Sequence, residues 1–234
     1  MKAKARARAK KTIKAVFANY RRRQPTDGKM LSTLQDGKLY ELFVLSQLVV
    51  DLNGRGFTLH FVPSPTPSGA AAGHSTLKFK GSPGKIKATD SHFEVSNPGS
   101  GNVDYRIFVN IEFDTLGHSQ NPVSDNSRRH ELDIVVTTAS AGYPTHEEIA
   151  LGVECKAVAN FQKGLLKEAL GVRRELSFLT DDHYTLLTRS GGMPVKQVTA
   201  YPPSEFILAF IDPKGTNYAE SPKVFGIELQ LMQP

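Results

Sequence analysis

The sequence predicts an α/β fold in which helices flank a mixed central β-sheet. Three observations predict it. A dense apolar run at Lys38 to Leu52 has helical length and a helical stop signal, and it precedes a series of β-prone segments. An amphipathic pattern at Phe161 to Leu179 divides those segments into two groups. The resulting order of helix, strands, helix, strands fits a layered mixed sheet better than an all-α or all-β architecture. With 234 residues the chain can bury a sizeable core in one large domain carrying an appendage.

Along the chain, residues 1–24 form a basic, Ala-rich arm that is expected to be flexible, because little in it would hold a helix to the body. The turn-prone stretch Gln24-Pro25-Thr26-Asp27-Gly28 separates it from a single domain over 25–234. Lys38 to Leu52 holds nine Leu, Val and Phe residues nearly all round the helix, so it should be buried, and Asn53-Gly54-Arg55-Gly56 ends it. Phe57 to Val62 reads as a strand, Pro63 to Gly73 as a loop, and 75–97 as short β-prone pieces. Tyr105 to Phe113 alternates, with Ile107, Val109, Ile111 and Phe113 on one face. Gly117 to Arg129 is polar and reads as a loop. His130 to Thr138 and Glu148 to Val158 are strands. The helix at Phe161 to Leu179 offers Leu165, Leu166, Ala169, Leu176 and Leu179 to the core, and Glu205 to Ile211 and Val224 to Leu231 close the fold.

Charge is distributed unevenly. Residues 1–23 carry ten Lys or Arg and no acid, while the other 19 of the 29 basic residues face 23 acidic ones, a net of −4. Such an arm suits a phosphate backbone, with Lys10, Lys11, Lys14, Arg21, Arg22 and Arg23 as candidate contacts. A solvated tail, a localisation signal or a transit peptide are the duller readings, whereas no apolar core follows to make a secretory signal. No apolar stretch is long enough to span a bilayer. The single cysteine excludes an internal disulfide framework and fits a reducing, cytoplasmic setting. The seven His residues lack tight ligand spacing, which disfavours zinc.

The chemistry concentrates in two segments. In the strand from Glu148, Ile149, Leu151, Val153, Cys155 and Ala157 form an apolar row, and Ala150, Gly152, Glu154 and Lys156 lie opposite. Burying a carboxylate and an ammonium there requires that they pair, ligate a metal or line a wet cleft. The preceding strand repeats the pattern, with Leu132, Ile134 and Val136 opposite Glu131, Asp133 and Val135. If the two strands pair antiparallel, Asp133 approaches Glu154. Two carboxylates beside a lysine make a hard-oxygen site suited to Mg²⁺ or Mn²⁺.

Asp133, a spacer of twenty residues, then Glu154-Cys155-Lys156 in an apolar strand resembles the D…(D/E)xK signature of the PD-(D/E)XK nuclease superfamily. The resemblance covers about residues 38–180, with a closing strand at 205–211. It implies a restriction-endonuclease-like core and metal-dependent hydrolysis of phosphodiester bonds, in DNA, in a setting of restriction, defence or DNA processing. It also implies that Asp133, Glu154 and the backbone carbonyl of Cys155 hold the metal, and that Lys156 positions the attacking water. Glu41, from the preceding helix, would reach a second metal or a water on the first. Gln162 and Lys163, opening the later helix, would offer polar groups to the substrate. No proline precedes Asp133, where the family pattern has one, so Glu131 stands beside it as an alternative first acid.

Three other acid-x-Lys triplets occur, at Asp27-Gly28-Lys29, Asp36-Gly37-Lys38 and Asp212-Pro213-Lys214, but none lies within an apolar strand. The bland reading of Glu154 and Lys156 is a charge pair on an edge strand. That of Glu41 is an acid favoured by the helix dipole. Lys163, Lys167 and Arg174 would be either a phosphate track or a solvated face. Cys155 reads as packing rather than as a nucleophile. Tyr20, Tyr105, Tyr143, Tyr184 and Tyr201 form no base-stacking pattern, and Ser190-Gly191-Gly192 lacks the Gly-Lys-Ser/Thr run of a phosphate loop. Residues 57–117 and 181–204 are expected to carry substrate choice, and paired double-strand cuts would call for a homodimer. The alternative function is a catalytically inactive module of the same fold that binds nucleic acid or supports assembly.

Overall fold

A computed structural model describes residues 1–23, 26–65, 75–179, 200–201 and 204–234, without side-chain placement at 178, 179, 200 and 201. Outside the described residues lie Gln24 and Pro25 of the expected turn, residues 66–73 of the expected loop, His74, Tyr184, and most of the 181–204 segment. Helices α1 (Ala3–Ala18), α2 (Asp27–Thr33) and α3 (Asp36–Gly54) open the chain. Strands β1 (Thr58–Val62), β2 (His92–Ser96) and β3 (Tyr105–Asp114) follow, then the short helix α4 (Leu116–Gln120), β4 (Arg129–Thr137) and β5 (Ile149–Lys156). Helix α5 (Lys163–Leu176), the two-residue strands β6 (Phe178–Leu179) and β7 (Ala200–Tyr201), β8 (Glu205–Phe210), the one-turn α6 (Glu220–Lys223) and β9 (Ile227–Leu231) complete it.

Seven strands form one mixed sheet in the order β1-β2-β3-β4-β5-β8-β9, and β6 pairs with β7 apart from it. Neighbours from β1 to β5 are antiparallel, whereas β5, β8 and β9 run parallel. Connection length accounts for the change, since the parallel step from β5 to β8 carries the crossover helix α5. One face of the sheet is covered by α1 and α3, where Ile13, Phe17, Leu45 and Val49 meet Ile107, Val109, Ile134, Val136, Val153 and Ile207. The other face is covered by α5, where Leu166, Ala169 and Leu176 meet Val135, Phe206, Leu208 and Phe210.

The alternation breaks within β3, at the level of Asp133. In β3, Ile107 and Val109 join the α3-side core while Ile111 and Phe113 join the α5-side core, so the single apolar row expected there is split. The cause is Asn110, whose φ of 55° lies in the left-handed region and reverses the alternation. Asparagine tolerates that conformation better than most residues. The partner strand breaks opposite it: Val109 pairs with Ile134 and Ile111 with Leu132, which places Asn110 across from Asp133. Leu132 accordingly packs on the α5 side, away from Ile134 and Val136. A second irregularity between Val136 and Thr137 likewise sends Ile149 to the α5 side, away from Leu151 and Val153.

The N-terminal segment differs from the flexible arm expected of it. Residues 3–18 are helical, and Ala9, Ile13, Val16 and Phe17 form a buried stripe against the core. Phe17 meets the rings of Phe61, Phe79 and Phe93 edge-on at 5.4–5.7 Å. Arg6 is bonded to Asp36 at the start of α3. Residues 1–23 therefore belong to the same packed unit as the sheet, because a one-sided apolar stripe gains more from burial than from remaining in water. Helix α2 takes in Asp27 and Gly28, the last two residues of the stretch expected as a turn. Among the described residues, no helix is long and apolar enough to cross a membrane.

Candidate active site

The β4–β5 ladder ends at the pair Ile134–Val153, one step short of Asp133 and Glu154. Where the next rung would stand, the Asp133 carboxylate itself accepts the Cys155 N–H at 2.7 Å. A side chain thus takes the place of a backbone acceptor, and the two strands separate around it. Within a strand, a residue's N–H and C=O point to the same edge, so the Cys155 carbonyl is turned toward the same gap. Glu154 follows on β5, its side chain 13% exposed, and Lys156 reaches back to it at 3.1 Å. A second carboxylate, Glu168 on α5, lies 3.5 Å from the Lys156 ammonium.

Helix α3 brings in the remaining acid. Glu41 is buried in its first turns and receives the Lys38 ammonium at 3.0 Å. Lys38 also donates to the Asn110 side-chain oxygen. The Asn110 amide donates to Glu41 at 3.4 Å and to the Lys80 carbonyl at 2.7 Å. The left-handed break in β3 thereby serves the site directly, since it turns a fully buried polar side chain toward α3.

The electrostatics are those of crowded carboxylates. Burial and the Asp133 charge push the Glu41 carboxyl up to about 7, against the opposing pull of Lys38. Burial also raises Asp133 above the usual range, although the Cys155 N–H, Lys156 and Lys38 all oppose it. Glu154 is raised by burial and by Asp133, with Lys156 opposing, and Glu131 is raised by the same two causes. Burial alone would lower the Lys156 ammonium, but Glu154, Asp133 and Glu168 together raise it, so it remains charged. The Cys155 thiol is pushed well up by burial and the surrounding acids, which keeps it protonated and unsuited to nucleophilic attack.

The residues fit a hard divalent cation. Every available donor is oxygen, the acids repel one another at neutral pH, and Mg²⁺ takes only one or two carboxylates while keeping several waters. Among the described residues, no group of three or more His, Cys, Asp and Glu side chains gathers closely enough to hold a metal ion. The oxygens that would be offered to such an ion are those of Asp133 and Glu154, with the Cys155 carbonyl on the same edge of β5 as the N–H that Asp133 accepts. Between the two candidate first acids the geometry favours Asp133, because it clasps β5, whereas Glu131 is paired across the ladder with Glu112.

The expected nucleic-acid contacts divide. Lys11, Arg22 and Arg23 are exposed, as are Gln162, Lys163 and Lys167 around the start of α5. Lys10 reaches Ser32 at 3.3 Å, and Lys14 lies over Gly28. Arg21 differs from the expectation: its guanidinium is bonded to the buried Asp27 at 2.6 Å and to Thr76 at 3.2 Å, so it holds α1 to α2 instead of facing a phosphate. The buried Arg173 is similarly structural, donating to Phe225, Ser177 and Ser204.

Sequence reasoning missed Lys38, Asn110 and Glu168. Lys38 had a signal, since a lysine three residues before an acid lies on the same helix face. Asn110 had none, because its role depends on a backbone reversal. No known protein family, curated protein or solved structure matches the chain.

Proposed function

We propose that the protein is a divalent-metal-dependent nuclease with a restriction-endonuclease-like core of the PD-(D/E)XK kind, cutting phosphodiester bonds in DNA. The observation that carries this reading is the splayed end of β4 and β5. There Asp133 takes the Cys155 N–H at 2.7 Å, and Glu154 and Lys156 stand beside it in the gap. An edge-strand charge pair has no need of a third, buried carboxylate, and β5 is a central strand.

Asp133, Glu154 and the Cys155 carbonyl would hold Mg²⁺ or Mn²⁺. The ion, when bound, supplies a Lewis acid that acidifies water and offsets charge on the attacked phosphate. Lys156 stays an ammonium between Glu154 and Glu168, so it serves as a donor that orients the attacking water or a phosphate oxygen, and not as a base. Overall, water adds to phosphorus, one P–O ester bond breaks, and a phosphate monoester and a hydroxyl are released. The exposed cations Lys11, Arg22, Arg23, Lys163 and Lys167 supply the attraction for a polyanion that a carboxylate-rich centre lacks.

The test is cleavage of circular plasmid with Mg²⁺, Mn²⁺ or EDTA, comparing the wild type with Glu154→Ala. Metal-dependent nicking or linearisation that disappears in the variant is the expected result. DNA binding without cutting under any metal condition would replace the nuclease reading with that of an inactive binding module.

A further inference from the structure

Glu41 is the acid that a two-metal arrangement would use, yet it already has a cation. The Lys38 ammonium lies 3.0 Å from its carboxylate and is also bonded to the Asn110 side-chain oxygen. Its acceptors are fixed from behind. Asn110 is fully buried, sits at φ 55°, and is tied to the Lys80 carbonyl at 2.7 Å and to Glu41 at 3.4 Å. The charge of Lys38 is felt beyond Glu41, at Asp133 and at Glu131.

We propose that Lys38 occupies, as an ammonium, the position that a second metal ion would take beside Glu41, so that the site holds a single divalent cation on Asp133 and Glu154. Glu41, Glu131, Asp133, Glu154 and Glu168 outnumber Lys38 and Lys156, and each lysine already offsets the acids beside it. A second ion would have to displace the Lys38 ammonium from both the Glu41 carboxylate and the buried Asn110 oxygen.

This inference rests on the metal-dependent reading above, and one experiment separates the two. Mn²⁺ is titrated into the metal-free protein, and the loss of the free-ion paramagnetic resonance signal gives the number of ions bound per chain. The wild type should bind one. Lys38→Met, which frees the Glu41 carboxylate and the Asn110 oxygen, should bind two, and adding Glu41→Gln to it should return the count to one. Lys38→Gln should behave as Lys38→Met, and Lys38→Arg, which keeps the positive charge, as the wild type. Two ions in the wild type, or one ion in both neutral variants, would overturn the role of Lys38 and leave the nuclease reading standing. No ion bound by the wild type would remove both.

Discussion

At the end of β5, Lys156 reaches Glu154 at 3.1 Å along a strand; in the first turns of α3, Lys38 reaches Glu41 at 3.0 Å along a helix. The two lysine–carboxylate distances are nearly equal, and the surroundings are not. The second partner of Lys156 is Glu168, whose side chain is 62% exposed and whose hold is correspondingly weak. The second partner of Lys38 is Asn110, fully buried and itself tied down. The β5 pair therefore has a largely solvated second partner, while the α3 pair is backed by a buried amide, even though the Lys38 side chain is the more exposed of the two lysines. On the proposed reading, the fixity of the third group, and not proximity, marks Lys38 as the supporting cation and Lys156 as the working one.

The largest expected difference between the pairs is in cutting. Glu154→Ala should lower the single-turnover rate on the order of 10³-fold, with Lys156→Ala close to it. Glu41→Gln should lower it only about tenfold, roughly 1.4 kcal/mol of barrier. Equal losses in the two variants would dissolve the distinction and make Glu41 a full metal ligand.

Asp133 sharpens the comparison on stability. Asp133→Ala leaves the Cys155 N–H without its acceptor and should cost about 1–3 kcal/mol in urea denaturation. Asp133→Asn keeps a carbonyl acceptor and removes a charge that repels Glu41 and Glu154, so it should be at least as stable as the wild type. Both should be inactive. An equal loss of stability in the two would mean that the clasp on β5 contributes little.

A smaller effect follows from pH. The Glu41 carboxyl stands at about 7 in the folded protein against an ordinary 4.5. A folded value above the unfolded one gives stability that is complete below 4.5 and is lost as pH rises through about 7. The metal-free protein should therefore melt at lower temperature near pH 8 than near pH 5, and Glu41→Gln should flatten that slope. Added Mn²⁺ should raise the melting temperature more at the higher pH, where the carboxylates are charged. A melting temperature that does not fall over this range would contradict the crowding of acids at the site.

The smallest effects belong to the N-terminal cations. Lys11→Ala should weaken DNA binding severalfold and reduce the salt slope by about 1. Arg21→Met should leave that slope unchanged, because Asp27 already holds the guanidinium. Equal slopes for the two variants would place Arg21 among the phosphate contacts after all.

Much of the architecture was legible in the residues. The apolar run of α3, the strands β4 and β5 and the amphipathic pattern of α5 all appear within a few residues of their expected bounds, since each rests on local periodicity, although the apolar rows of the two strands change face at Leu132 and Ile149. The antiparallel approach of Asp133 to Glu154 was legible too, because a short connection between two strands leaves few other arrangements. Helix α1 was misread for want of weight on one spacing: Ala9, Ile13, Val16 and Phe17 do form a helical stripe, but its alanine and the surrounding cations make it faint. Lys38 was passed over inside Asp36-Gly37-Lys38, a triplet set aside because it lies outside any strand. Its neighbour Asp36 is indeed structural, bonded to Arg6 and the N-terminus, while its lysine enters the site.

The sequence by itself determined where the main helices and strands lie and that β4 and β5 pair, which brings Asp133 near Glu154, because periodicity is local and a short connection leaves few arrangements. Only the tertiary structure decided how those groups are held. The reversal at Asn110, the clasp of Asp133 on Cys155, the closure of Lys38 over Glu41 and the capture of Arg21 by Asp27 all join residues distant in the chain or depend on one backbone torsion. Burial sets their energies, and burial is a property of the packed molecule that no local pattern encodes.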